Sequence, residues 1–246
     1  MNGLAISQNF LTKFSKTPWR IPPSNLSLEA DEVHIWLAQL DQENVTEFGE
    51  TLSNSERARA SRFRFEIDRK RFVVGRGILR KIVGKCLKTN SRQLCFEYNL
   101  YGKPSLSEQL HSHLKFNLSH SENLALYAIS MRREIGIDLE QIKPSFVDEG
   151  MISLCLTQRE TEHFYSLSEQ ERISFFFNCW TNKEAFLKAN GHGLSVSPNE
   201  IETSELSQKT QLTFQKLPPI DGYSTALAVD GNTPKLKYWL IDSNIK

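Results

Sequence analysis

The order of predicted elements places this chain in the α+β class, built as two similar halves. Two observations carry that assignment: a run of strand, helices and strands occurs twice along the 246 residues, and a short basic turn, MRRE at 131–134, falls between the two runs. Identity between the halves is low, so the repeat is one of element order. The boundaries that follow are an N-terminal extension at 1–30, an N-terminal half at 31–132 and a C-terminal half at 133–246.

Pro18, Pro22 and Pro23 among scattered polar residues make the extension an extended peripheral arm. VHIWLAQL at 33–40 is β-rich and partly alternating, a first strand, followed by the polar NVTEFGETL. Residues 55–85 read as two helices broken near Asp68, with Ser55 and Asp68 as N-caps. QLCFEY at 93–98 is a short strand, and NLYGKP at 99–104 a turn punctuated by Gly102 and Pro104 that leaves Lys103 at its tip. FNLSHS at 116–121 leads into the strand LALYAIS at 124–130, and IGIDLE at 135–140 is strand-like again. Beyond Pro144, residues 145–154 and 157–165 are helical, the second opened by a Thr157–Glu160 capping box. A long helix runs from about Ser168 to the stop at Gly191 and Gly193, and strands follow at 211–215, 223–229 and 236–241.

A chain of this length buries an ordinary core without staples. The formal net charge of +1 gives no overall bias toward nucleic acid or an acidic membrane, so any electrostatic specificity is local. Cys86, Cys95, Cys155 and Cys179 form no C-x-x-C pair and read as buried free thiols in a reducing compartment. The first residues lack a signal-peptide core and no run reaches membrane-span length, so a cytoplasmic protein is expected.

Three groups of residues carry chemistry. On the long helix Trp180, Glu184 and Lys188 recur every fourth residue along one face; the plain alternative is a surface Glu–Lys pair. Asp138 and Glu140 sit two apart, on one face of a strand. Two carboxylates that close call for a cation or a shared proton, and an all-oxygen site suits Mg²⁺ before Zn²⁺, above all beside a pyrophosphate. A solvated strand edge is the other reading. His120 lies between two serines, either as a structural residue or as a donor to phosphate. No glycine elbow or orienting acid accompanies it, which sets serine-hydrolase chemistry aside. The Arg-rich, aromatic-interleaved stretch from Arg57 to Lys81 is a solvated basic face, an anion site or a nucleic-acid-binding module.

Taken in order and at these separations, Gly102-Lys103-Pro104, FNLSHS, GIDLE and WTNKEAFLKANGHGL resemble the 4'-phosphopantetheinyl transferases of the surfactin-synthetase-activating type, over roughly residues 33–229. The resemblance implies a monomer of two pseudo-twofold-related α/β halves with the active site in the cleft between them. It implies transfer of the phosphopantetheine arm of coenzyme A to a serine of an apo acyl or peptidyl carrier protein, leaving adenosine 3',5'-bisphosphate. Carried over by residue, Asp138, Glu140 and Glu184 hold Mg²⁺, with Mn²⁺ as an alternative. Lys188 contacts the same phosphates and His120 donates to them. Lys103 meets the 3'-phosphate with help from Arg59 or Arg71, and Ser119 lies close to the nucleotide. Glu184 is also the candidate base for the carrier serine, and sequence leaves open whether it is base or ligand. Fatty-acid, polyketide and nonribosomal-peptide carriers all fit, with no nucleic-acid or membrane partner. The rival from another class is the nucleic-acid-binding module at 57–81.

Overall fold

A computed structural model describes residues 8–41, 44–191 and 196–241; Gly193 and His192 lie outside the described residues. The apolar run of the first strand, β1 (Glu32–Gln39), is buried on both faces. Helices α1 (Gln8–Lys13), α2 (Val45–Thr51), α3 (Asn54–Ala60) and α4 (Glu66–Leu87) flank it in sequence. A hairpin of β2 (Phe96–Tyr98) and β3 (Pro104–Leu106) and a second of β4 (Leu114–Ser121) and β5 (Leu124–Met131) complete the N-terminal half. The C-terminal half runs β6 (Ile135–Gln141), α5 (Glu149–Cys155), α6 (Gln158–Ser166), α7 (Glu169–Asn190), α8 (Leu206–Lys209), β7 (Leu212–Gln215), β8 (Tyr223–Asp230) and β9 (Lys235–Leu240).

The halves repeat one strand order. In the first sheet β5 lies between β4 and β1, and in the second β8 lies between β7 and β6, with every one of these pairings antiparallel. Each half also contributes one 22-residue helix, α4 or α7. The two sheets share a core in which Val33, Ile35 and Leu37 of β1 meet Ile135, Ile137 and Leu139 of β6 and Leu227 and Val229 of β8. Full burial of each such side chain contributes about 1.5–3 kcal/mol, so the halves are held together by the same apolar transfer that holds each one.

Several expectations are corrected. The last strand, counted with the C-terminal half, pairs parallel to β1 and closes the first sheet. The described part of the extension, 8–30, is not peripheral: Phe14 and Trp19 are buried in the shared core, and Arg20 bonds the backbone of β9 at Tyr238 and Leu240. Its aromatic residues outweigh its prolines, because burying a ring gains more than an extended backbone loses. NVTEFGETL contains α2, whose Phe48 is fully buried. The break in the 55–85 helical region falls at 61–65 and not at Asp68. The caps are Ser53, in a reciprocal capping box with Glu56, and Phe65. Among the cysteines, Cys155 and Cys179 are buried and Cys86 half-buried, but Cys95 is exposed; all are free thiols.

Gly136 positions the site. A Cβ there would lie 2.0 Å from the Ala185 carbonyl oxygen and 2.4 Å from the Ala189 nitrogen. The missing side chain, with Ala185 and Ala189 facing it, lets the α7 backbone lie directly on β6. Glu184 and Lys188, each one residue earlier on α7, are thereby brought against the acidic strand.

Candidate active site

Strand β4 supplies one wall through its alternation. Asn117, Ser119 and Ser121 share a face, and each reaches across to β6. The Asn117 side-chain oxygen Oδ1 accepts from the Ile137 amide at 2.9 Å. Ser119 donates to Asp138 Oδ1 at 2.8 Å. Ser121 donates to Glu140 Oε2 at 3.1 Å and accepts from the Gln141 amide at 3.0 Å. The two sheets therefore join at this seam through side chains, and the seam carries both candidate carboxylates.

Helix α7 closes the arrangement. Lys188 Nζ donates to Asp138 Oδ1 at 2.6 Å and to Ser119 Oγ at 2.9 Å. Asp138 is 1% exposed and its second oxygen, Oδ2, has no hydrogen-bond partner, an uncommon state for a buried carboxylate oxygen. Desolvation first, then the charge of Asp138, raises the pKa of Glu140 against the opposing pull of Ser121, Lys188 and the Trp180 indole. Glu184 is raised in the same way, by burial and by Asp138, with Lys188 opposing. Trp180, Glu184 and Lys188 thus share the face expected of them, and Trp180 packs against the acidic strand.

Of these residues, Glu184 and Lys188 open onto a cleft of about 930 Å³ between the halves. Glu184, Lys188 and Gly191 of the C-terminal half line it opposite His120, Arg59, Arg71, Arg76 and the 101–104 turn. That volume lies in the upper range for small-molecule sites. His120 is exposed to the cleft, yet desolvation by the surrounding walls, then Lys188 and Arg71, hold its imidazole below the ordinary value, against Asp68.

The pattern of the 4'-phosphopantetheinyl transferase superfamily matches residues 134–228, and that of the N-terminal part of 4'-phosphopantetheinyl transferases matches 36–132. The 4'-phosphopantetheinyl transferase HetI of Nostoc sp. is 40% identical over 230 residues, 90% of this chain and 97% of that one. The chain belongs to the 4'-phosphopantetheinyl transferase superfamily. It is a transferase enzyme of that type. More distant members are psf-1 of Bacillus pumilus, 33% identical over 74% of this chain and 77% of its own, and Sfp of Bacillus subtilis, 27% identical over 72% and 76%.

Within this transferase the site residues expected from sequence are not all placed alike. Asp138, Glu140, Ser119, Glu184 and Lys188 converge at the seam. Ser119 is buried, with its hydroxyl between Asp138 and Lys188, so it supports those two groups rather than facing the cleft. Arg59 lines the cleft with its guanidinium 5.4 Å from the Phe72 ring centroid. Arg71 also lines it but is held by Asp41 through bonds of 2.8 and 3.1 Å, with Glu122 at 3.6 Å. Lys103 is not left free at a tip: its ammonium lies 3.3 Å from Glu134 Oε2, 3.4 Å from the Ile135 carbonyl and 3.1 Å from the Ala189 carbonyl.

Other transferase residues escape sequence reading. Asn117 and Ser121 were visible only as polar members of FNLSHS, although their spacing with Ser119 is the signal for one shared face. Arg76 lines the cleft at 7% exposure, flanked by the rings of Phe72, Phe96 and Tyr98, and its Nη1 has no hydrogen-bond partner. Nothing in sequence sets it apart from the arginines around it.

Among the described residues no group of three or more His, Cys, Asp and Glu could by itself hold a metal ion, and Lys188 pairs with Asp138. The unpartnered Asp138 Oδ2 and the raised Glu140 and Glu184 are oxygen donors under mutual repulsion. They fit a hard cation whose remaining ligands are phosphate oxygens and water.

Proposed function

We propose that the chain transfers the 4'-phosphopantetheine arm of coenzyme A to a serine hydroxyl of an apo acyl or peptidyl carrier protein, leaving adenosine 3',5'-bisphosphate. The carrying observation is that Glu184 and Lys188, the latter bonded to the buried Asp138, line a cleft faced on its other side by arginines. It supplies cationic donors for a pyrophosphate, a carboxylate oxygen in need of a partner, and a second carboxylate held above its usual range.

Attack of a serine oxygen on the β-phosphorus needs charge neutralisation, in-line placement and removal of one proton. Lys188 donates to the pyrophosphate while remaining oriented by Ser119 and Asp138. His120, neutral because its pKa is lowered, donates one ring N–H to the same oxygens. Glu184 takes the serine proton, a role that a raised carboxylate pKa favours. Mg²⁺, held by Asp138, Glu140 and Glu184 with Mn²⁺ as a substitute, would neutralise charge on the phosphates. Arg59 is the open cation for the 3'-phosphate, with Arg71 beside it. The protein works in this reading as a cytoplasmic monomer; among the described residues no helix is long and apolar enough to cross a membrane.

Incubation with coenzyme A, Mg²⁺ and several apo carriers, followed by intact-mass measurement, tests the reading. A mass gain equal to one phosphopantetheine on the carrier serine is expected; no gain on any folded carrier rejects it. The nucleic-acid alternative loses support because much of the 57–81 charge is already paired, in Arg80–Glu56, Arg71–Asp41, Lys81–Glu47 and Arg69–Glu66.

A further inference from the structure

The last turn of α7 ends in carbonyls that the helix itself leaves without partners, at the negative end of its dipole. Two of them are taken by the 99–103 turn of the other half. Asn99 Nδ2 donates to the Gly191 carbonyl at 2.8 Å, and Lys103 Nζ donates to the Ala189 carbonyl at 3.1 Å. The same ammonium reaches Glu134 Oε2 and the carbonyl of Ile135, the first residue of β6. Glu134 is held in place from its other oxygen by Lys115 at 2.6 Å. An ammonium has three donors, and these three acceptors use them all.

Asn99 orders the turn as well. Its Oδ1 accepts from the amides of Tyr101 at 3.0 Å and Lys103 at 2.9 Å, while Gly102 supplies the positive φ of 82° that the bend requires. The turn lines the cleft through residues 101–104, and the α7 end that it grips begins one residue after Lys188. Movement of the turn is therefore transmitted to Lys188 and, one helical turn earlier, to Glu184.

We propose that Asn99 and Lys103 form a latch between the cleft-lining turn and the end of α7, and that Lys103 is a positioning residue for Lys188 and Glu184 and not a ligand of the 3'-phosphate. The kinetic arm of its test rests on the transferase reading; a ligand-free arm does not.

Two variants separate the possibilities. Lys103→Met removes the ammonium. Asn99→Asp keeps the oxygen that orders the turn and removes the donor to Gly191. In ligand-free protein, amide hydrogen exchange across 186–191 is expected to quicken about tenfold in both variants. In steady state, with coenzyme A and with 3'-dephospho-coenzyme A, kcat is expected to fall by a common factor of about ten. The ratio of kcat/KM between the two nucleotides should stay within about twofold of wild type. Unchanged exchange in both variants overturns the latch. So does a collapse of the nucleotide ratio in Lys103→Met, which would make Lys103 a phosphate ligand. If wild type loads no carrier, the transferase reading falls and the exchange experiment still decides the latch.

Discussion

Helices α4 and α7 occupy equivalent places in the two halves and have equal length, yet they use charge in opposite ways. On α4, Arg80 is 1% exposed and bonds Glu56 and the carbonyls of Ser91 and Leu94. Arg71, Lys81 and Arg69 each have a carboxylate of their own. On α7 the pattern splits between neighbours. Lys183 is buried against Glu160 and the Cys155 carbonyl, while Glu184 faces the cleft and Lys188 meets an aspartate with a spare oxygen. Most of the named charge on α4 is therefore spent on structure, with Arg76 and its unpartnered Nη1 the exception at the cleft, while on α7 incompletely satisfied charge marks chemistry.

The comparison breaks most sharply if the incompletely satisfied residues prove dispensable. Asp138→Ala and Glu184→Gln are each expected to lower kcat by about a thousandfold or more, equal to about 4 kcal/mol of transition-state stabilisation. Circular dichroism should remain that of the wild type. Carrier mass gain under single-turnover conditions reads the rate, and near-normal loading by either variant removes that residue from the site.

The buried pair on α7 should behave in the opposite manner. Glu160→Ala leaves Lys183 charged and uncompensated in the interior, which costs about 3–5 kcal/mol. Urea unfolding reads that loss, and the fraction still folded should retain its kcat. Glu160 also bonds the Thr203 amide and hydroxyl and caps α6 through Thr157, so the variant loses those contacts too. A lowered kcat at unchanged stability would move the pair from scaffold to site.

Arg59 tests the cleft end of the comparison. It has no ion-pair partner among the described residues and stacks only on Phe72. If its charge is reserved for a phosphate, Arg59→Ala should raise the KM for coenzyme A by roughly tenfold or more, the scale of a lost charged hydrogen bond. Unchanged KM would leave Arg76 as the nearer candidate.

Sequence carries much of this because local patterns coincide with the site. GIDLE and the W-x-x-x-E-x-x-x-K spacing specify faces directly, since strand and helix periodicity decide where Asp138, Glu140, Trp180, Glu184 and Lys188 point. What sequence leaves hidden is partnership. Lys103 in a glycine-proline turn looks free, and only the fold brings Glu134 and the α7 carbonyls to it. Pairings such as Arg71 with Asp41 and Arg80 with Glu56 span 30 and 24 residues, beyond any local signal. The crossing of β9 into the first sheet and the burial of Phe14 and Trp19 are hidden for the same reason.

Protonation separates the two classes of carboxylate with a smaller effect. Glu184 has a folded-state pKa above its ordinary 4.5, so the folded form binds the proton more tightly than the unfolded chain. Its contribution to stability is greatest below pH 4.5 and is lost as pH rises through the folded value. Glu160 runs the other way. Burial alone would raise it, but Lys183, Thr203 and the Thr157 amide together hold it below 4.5. Its contribution is present above that pH and is lost as pH falls through the folded value. Glu184→Gln should therefore melt at or above the wild-type temperature at pH 7, with the difference vanishing toward pH 4. A variant less stable than wild type at pH 7 would show that Glu184 is anchored rather than reserved for catalysis.

The smallest effect is expected where α4 charge is paired in open solvent. Arg69 forks onto Glu66 at 2.7 and 2.6 Å, with both side chains exposed and three residues apart on one helix. Water already solvates each group well, and ordering two long side chains offsets most of the attraction, so such pairs contribute about 0.5 kcal/mol or less. Arg69→Ala should shift the urea midpoint only slightly and leave KM for coenzyme A and for the carrier unchanged. Salt titration sharpens the point, because the small difference should vanish at high ionic strength. A clear rise in carrier KM would mean that this exposed face of α4 meets the partner, and that satisfied charge on this helix serves more than the fold.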